Sequence, residues 1–128
     1  MSDNKQDRRP KTIMQALGGM TLTFNPEKAG NLEAVIQFDL RGDAAGKYHL
    51  NIHQGKCTFH KEEHEKPTLT IKTPSDVWLK IARKEMSGAV AMITGKYKTS
   101  GDASILLKMD KIFSRQPSEE ELVEKGWI

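Results

Sequence analysis

The sequence predicts an α+β domain: a mainly antiparallel sheet, polar on one face, with helices packed over the other. Three observations predict it. Short stretches that alternate with period two, "AVIQFDL", "KYHLNI" and "KCTFHK", follow one another across turn-forming links. Longer stretches with apolar residues at helical spacing flank them on both sides. The length of 128 residues suits one domain, large enough to bury about 65–70% of its unfolded surface.

The elements follow in chain order. Residues 1–11 are polar and are expected to be flexible. Residues 12–24 place Ile13, Met14, Leu17, Met20 and Phe24 on one helical face. Gly18 and Gly19 weaken that helix by about 1 kcal/mol each relative to alanine. In "NPEKAG", Asn25 caps a helical turn, Pro26 takes its first position, Glu27 suits its positive end and Gly30 stops it.

Three strands come next. Ala34, Ile36, Phe38 and Leu40 share one face of the first; Tyr48, Leu50 and Ile52 point inward from the second; Cys57 and Phe59 do so from the third. "RGDAAG" and "HQG" are turn links that make the three a meander. "TLTIKT" is a fourth strand, with Leu69 and Ile71 inward. Thr73 is expected to cap a helix that starts at Pro74 and runs to about Glu85, with Val77, Trp78, Ile81 and Ala82 on one side. "SGAVAMI" starts another helix, so poor in polar groups that it should be buried or line something buried. Gly95 ends it, and "KYKTSG" is a fifth strand or a strand-like link. A helix capped by Asp102 or Ser104 carries Ile105, Leu106, Met109, Ile112 and Phe113. Ser118 with Glu119, Glu120 and Glu121 opens a last helix, from which Leu122 and Val123 should face the body, with Trp127 packing near the end of the preceding helix. The expected organisation is a flexible segment 1–11, a domain 12–113 and a tail 114–128.

Composition excludes several functions. Twenty basic and 17 acidic residues give a net charge of +3, and the lysines alternate with acids, as in "KEEHEK". A nucleic-acid binder would concentrate its basic residues in a stripe, so no nucleic-acid partner is expected. Cys57 is the only cysteine, which forbids an internal disulfide and suits a reducing compartment. "MSDNKQDRRPK" has no apolar run and "EKGWI" carries no receptor-read address, so a cytoplasmic location is expected.

Candidate chemistry is sparse. Cys57, His60 and His64 have the spacing C-x2-H-x3-H, but alternation sends Cys57 inward and His60 outward, so no metal is expected. His49 and His53 share a face about 13 Å apart, too far to chelate one ion. Ser75, Ser87, Ser100 and Ser104 stand at caps and turns, and none lies in G-x-S-x-G. Neither an enzyme nor a cofactor is expected. Met86, Met92 and Met109, with Phe24, Trp78 and Phe113, suit either an ordinary core or a lining that adapts to varied apolar ligands.

"FNPEKAGNLEAVIQFDLRGDAAGKYHLNIHQGKC", "PTLTIKTPSDVWLKIARKE" and "GKYKTSGD" together resemble the sterol carrier protein type 2 domain, over about residues 24–113. With no thiolase domain before it and no peroxisomal tripeptide after it, the chain resembles the family's free-standing microbial members. The resemblance implies a five-stranded sheet with helices over one face and an apolar cavity between the layers. It further implies a non-enzymatic carrier of a fatty acid, acyl chain or sterol-like lipid. On that reading the cavity is lined by Phe24, Ile36, Phe38, Leu50, Trp78, Ile81, Ala82, Val90, Met92, Ile93, Ile105, Met109 and Phe113. Lys80, Arg83, Lys84 and Lys98 would meet a ligand carboxylate or make transient contact with a membrane surface. The alternative is a protein-interaction or dimerisation module that uses the same apolar groove, with "EELVEKGWI" as the docking segment.

Overall fold

The structure is a computed structural model and describes residues 9–126. Most of the expected flexible segment, and Trp127, lie outside the described residues. Five strands form one mixed sheet in the order β3-β2-β1-β4-β5: β1 Ala34–Arg41, β2 Gly46–His53, β3 Lys56–His60, β4 Leu69–Pro74 and β5 Lys98–Gly101. β1–β2, β2–β3 and β4–β5 are antiparallel, whereas β1 and β4 at the centre run parallel. Before the sheet come α1 Ile13–Thr23 and α2 Pro26–Ala29; α3 Ser75–Ala82 and α4 Gly88–Ile93 lie between β4 and β5; α5 Ala103–Ile112 and α6 Glu119–Glu124 close the chain.

The inward face follows the alternation. Ile36 pairs with Leu50 and Leu69, Phe38 with Ile71, and all five are fully buried. Leu17 of α1, Trp78 of α3, and Ile105, Met109 and Ile112 of α5 complete the same apolar cluster. The Phe38 and Trp78 rings lie 5.1 Å apart, and Tyr97 meets Trp78 edge-on at 5.9 Å. Such contacts add about 0.5–1.5 kcal/mol each beyond the area they bury.

The opposite face is less wet than alternation suggests. His49 and Gln37 sit side by side on it and are buried, because the chain after β3 folds back over them. His49 Nδ1–H donates to the Glu62 carbonyl at 2.8 Å, and the His64 N–H donates to Gln37 Oε1 at 2.8 Å. His49 stacks on His60 at 4.6 Å and meets His64 edge-on at 5.1 Å. These three rings brace a polar roof; among the described residues no group of three or more His, Cys, Asp or Glu is arranged to hold a metal.

Several elements depart from their expected form. Thr73 does not cap α3: it is a fully buried strand residue opposite Leu40, and Pro74 pairs with Arg41, so the extended backbone continues one residue further and Pro74 becomes the N-cap. Ser75 turns its hydroxyl to the β1–β2 link, accepting from the Ala44 N–H at 3.2 Å. The helix ends at Ala82, short of Glu85, because Lys84 takes a left-handed conformation with φ of 64°. Bonds from Lys84 N–H to Ile81 O and from Glu85 N–H to Lys80 O close the end, the pattern of a Schellman turn.

The apolar α4 is not buried as expected. Only Ala91 of its six residues is buried, while Val90 is 56% and Ile93 79% exposed. A helix this short can seat only one side, and Ala91 and the half-buried Met92 supply it. On α6, Leu122 faces the body as expected but Val123 is exposed, since adjacent residues point about 100° apart around a helix.

Candidate functional site

A groove of about 500 Å³ lies between α1 and the edge strand β3. Met14, Gln15, Gly18, Gly19, Thr21 and Leu22 form its α1 wall. Cys57, Thr58, Phe59 and Lys61 form the β3 wall, and Lys125 reaches it from the tail.

Local sequence explains the groove. β3 pairs with β2 so that Cys57 faces Ile52 and Phe59 faces Leu50, which turns both side chains toward the helical layer. Over them α1 presents its two glycines. A Cβ placed on Gly18 would meet the Phe59 ring at 3.7 Å, so the helix backbone itself forms the wall against that ring. A larger residue at 18 would extend into the space in front of Phe59. Met14, Cys57 and Phe59 also pack on the main apolar cluster, so the groove floor is the outer surface of the core.

The electrostatics divide the groove into an apolar floor and a cationic rim. Burial pushes the Cys57 thiol up to about 12, so at neutral pH it is a protonated, weakly polar lining group with no thiolate for nucleophilic attack or metal ligation. Lys61 and Lys125 are both exposed. An apolar trough with cations at its edge can hold an amphiphile by its hydrocarbon part and pair its anionic head.

The tail is tied to the same place. The Arg115 guanidinium donates to the Leu22 carbonyl at 2.8 Å, and its backbone N–H donates to the Thr23 carbonyl at 2.9 Å. The guanidinium also grips Glu121 through two bonds of 2.7 and 3.0 Å. Glu121 completes a capping box with Ser118. The hydrogen bonds and charge of Arg115, with the Ser118 N–H, hold the Glu121 carboxyl down at about 2.

The residues singled out in sequence as a cavity lining lie elsewhere. Phe24, Ile36, Phe38, Leu50, Trp78, Ile105 and Met109 are buried together in the core, with Ile81, Ala82, Met92 and Phe113 packed at its margin. Val90 and Ile93 face solvent. None of the thirteen lines the groove. Within the core, Trp78 Nε1 is buried with no hydrogen-bond partner, a donor that an oxygen in the interlayer would satisfy. Sequence alone marks Gly18 and Gly19 only as weak helix positions, because nothing local places Phe59 opposite Gly18.

Comparison with known proteins places the fold. A model described as the SCP-2 sterol transfer family matches residues 20–114. Hydroxysteroid dehydrogenase-like protein 2 of Xenopus laevis is 25% identical over 111 residues, which are 86% of this chain and 26% of that protein. The chain thus spans about a quarter of that curated relative. Among solved structures, palmitated SCP2L2 from Aedes aegypti superposes with a TM-score of 0.65 at 18% identity, covering 87% of this chain and 99% of that one. The stereoselective inverting sec-alkylsulfatase Pisa1 from Pseudomonas sp. superposes with a TM-score of 0.65 at 17% identity, covering 76% of this chain and 15% of that one.

Proposed function

The chain belongs to the SCP-2 sterol transfer family, and from that premise we propose that it is a non-enzymatic lipid carrier. Its ligand is an acyl chain, held in the groove between α1 and β3 with its anionic head at Lys61 and Lys125. The observation that carries this reading is the trough itself, whose apolar floor and cationic rim suit a fatty acid, joined to a family match over residues 20–114 that includes its β3 wall. A neighbour of the same fold is described as palmitated, which supports an acyl ligand. The unpartnered Trp78 Nε1 supports a second, deeper position for a ligand oxygen between sheet and helices.

Magnitudes are consistent with useful affinity. Each methylene removed from water contributes about 0.8 kcal/mol. Fourteen methylenes give about 11 kcal/mol; at an association cost of about 4 kcal/mol, about 7 kcal/mol remains, a Kd of about 10 μM. No chemical step is part of the proposal. The dehydrogenase-like and sulfatase proteins are each several times longer than the shared domain, and the protonated Cys57 offers no nucleophile.

Native mass spectrometry with organic extraction of the purified protein tests the reading. A carrier co-purifies as a monomer with lipid-sized added mass that extraction removes. An empty dimer would instead favour an interaction module built on the same apolar surface.

A further inference from the structure

Among the described residues four large apolar side chains stand in water, Val90, Ile93, Leu107 and Val123, and two of them belong to α4. Ala89, Val90 and Ile93 are exposed together, and their spacing puts them on one side of the helix. Exposed apolar clusters of this kind mark interaction sites. Lysines flank both ends. Lys80 and Lys84 precede α4 and Lys96 follows it, its N–H donating to the Ala91 carbonyl at 2.8 Å; all three are exposed. From Lys80 to Lys98 the chain carries the bases Lys80, Arg83, Lys84, Lys96 and Lys98 against one acid, Glu85. Glu85 is already engaged by Arg83 at 3.1 Å and Arg9 at 3.5 Å.

Backbone conformation adds an independent mark. The turns that end α3 and α4 are alike: Gly95 takes the left-handed position after α4 with φ of 76°, and Lys84 takes it after α3 with φ of 64°. Glycine is at ease there and lysine is strained. A lysine held against that preference beside an exposed apolar helix suggests a use for its charge.

We infer that α4 is a docking element for anionic phospholipid surfaces, with Val90 and Ile93 entering the headgroup boundary and Lys80, Lys84 and Lys96 pairing with lipid phosphates and carboxylates. Shallow apolar insertion and attraction to anionic lipid reinforce one another. A second copy of the chain is the poorer occupant, because a two-fold contact through this patch would set the same lysines against each other. The site is separate from the groove: α4 leads into β5, whereas the groove lies along β3 at the other edge of the sheet.

The test is flotation with vesicles of phosphatidylcholine containing about 30% phosphatidylserine, beside pure phosphatidylcholine vesicles, at low and high salt. The wild type should float with the anionic vesicles only and should release at high salt. Val90→Ser/Ile93→Ser should keep its circular dichroism spectrum, since both positions are exposed, and lose at least about tenfold in vesicle affinity. Lys84→Gly should lose about fivefold while melting at a higher temperature. Fatty-acid binding by all variants should be unchanged, so that failure at α4 is told apart from failure of the carrier reading. Absence of wild-type binding, equal binding to neutral vesicles, an unaffected serine variant, or a dimer that the serine variant abolishes would each overturn the inference.

Discussion

Two glycines show how much the surroundings decide what one residue does. Gly101 has a φ of 96°, and a Cβ there would lie 2.4 Å from the Thr68 carbonyl oxygen. Gly101→Ala should therefore destabilise the protein by about 2 kcal/mol or more, through backbone strain and a clash that cannot relax. Gly18 is helical, with room for a Cβ in ordinary contact with Phe59. Gly18→Ala should stabilise α1 by about 0.5–1 kcal/mol, and urea unfolding of both variants reads the opposite signs. Gly18 was legible in sequence only as a weak helix position, since its value depends on a strand 41 residues away. Cys57 gives a second prediction. Its thiol, raised to about 12 from an ordinary value of 9.0, should react with iodoacetamide at pH 8 at least about tenfold more slowly than in the urea-unfolded chain. Equal rates would mean that the thiol is not buried in the groove wall.

Most helix starts are legible from local chemistry, Thr73 before α3 being the exception. Asn25, Ser87, Asp102 and Ser118 each cap a helix through the side chain, as their placement before a helical stretch suggests. The burial of α4 was not legible, because composition says how apolar a helix is and not how much of it a neighbour covers. The tail stands between these cases. Its capping box could be read from sequence, whereas the Arg115 bonds to the end of α1 depend on the assembled fold.

Those bonds tie the tail to the end of α1 beside the groove, and a tail that restrains the ligand there would do so in a pH-dependent way. The Glu121 carboxyl titrates at about 2 in the folded protein against an ordinary 4.5. A depressed acid stabilises its docked state fully above the ordinary value, and that contribution is lost as pH falls from about 4.5 through 2. Fatty-acid release, followed by stopped flow, should thus be faster at pH 3 than at pH 6 in the wild type. Glu121→Gln should release rapidly at both, and truncation after Phe113 should do the same. A variant that releases at the wild-type rate at pH 6 would show that the tail does not restrain the ligand.

At the scale of the molecule, the layers followed from period and polarity, but the strand order did not. Alternation gives each strand an inward face without saying that β4 inserts beside β1 and runs parallel to it. That insertion leaves β3 as an edge strand, and an edge strand beneath a glycine-bearing helix is what opens the groove. The lining read from sequence falls mostly on the core, whose residues are the most apolar, whereas the trough proposed as the ligand site has glycines, a cysteine and a phenylalanine among its walls. Chain length of the ligand offers a check on the energetics: each two carbons removed from a saturated fatty acid should weaken binding about 15-fold, at about 0.8 kcal/mol per methylene, until the trough is no longer filled.

In the proposed carrier an acyl chain lies between α1 and β3. The most direct measurement is a ¹⁵N-labelled amide spectrum recorded during titration with palmitate below its micellar concentration. Saturable shifts are expected, concentrated at Met14, Gly18, Gly19, Cys57, Phe59 and Lys61, with smaller ones at Trp78. Shifts confined to α4 and its neighbours, or none at all up to saturating palmitate, would contradict it.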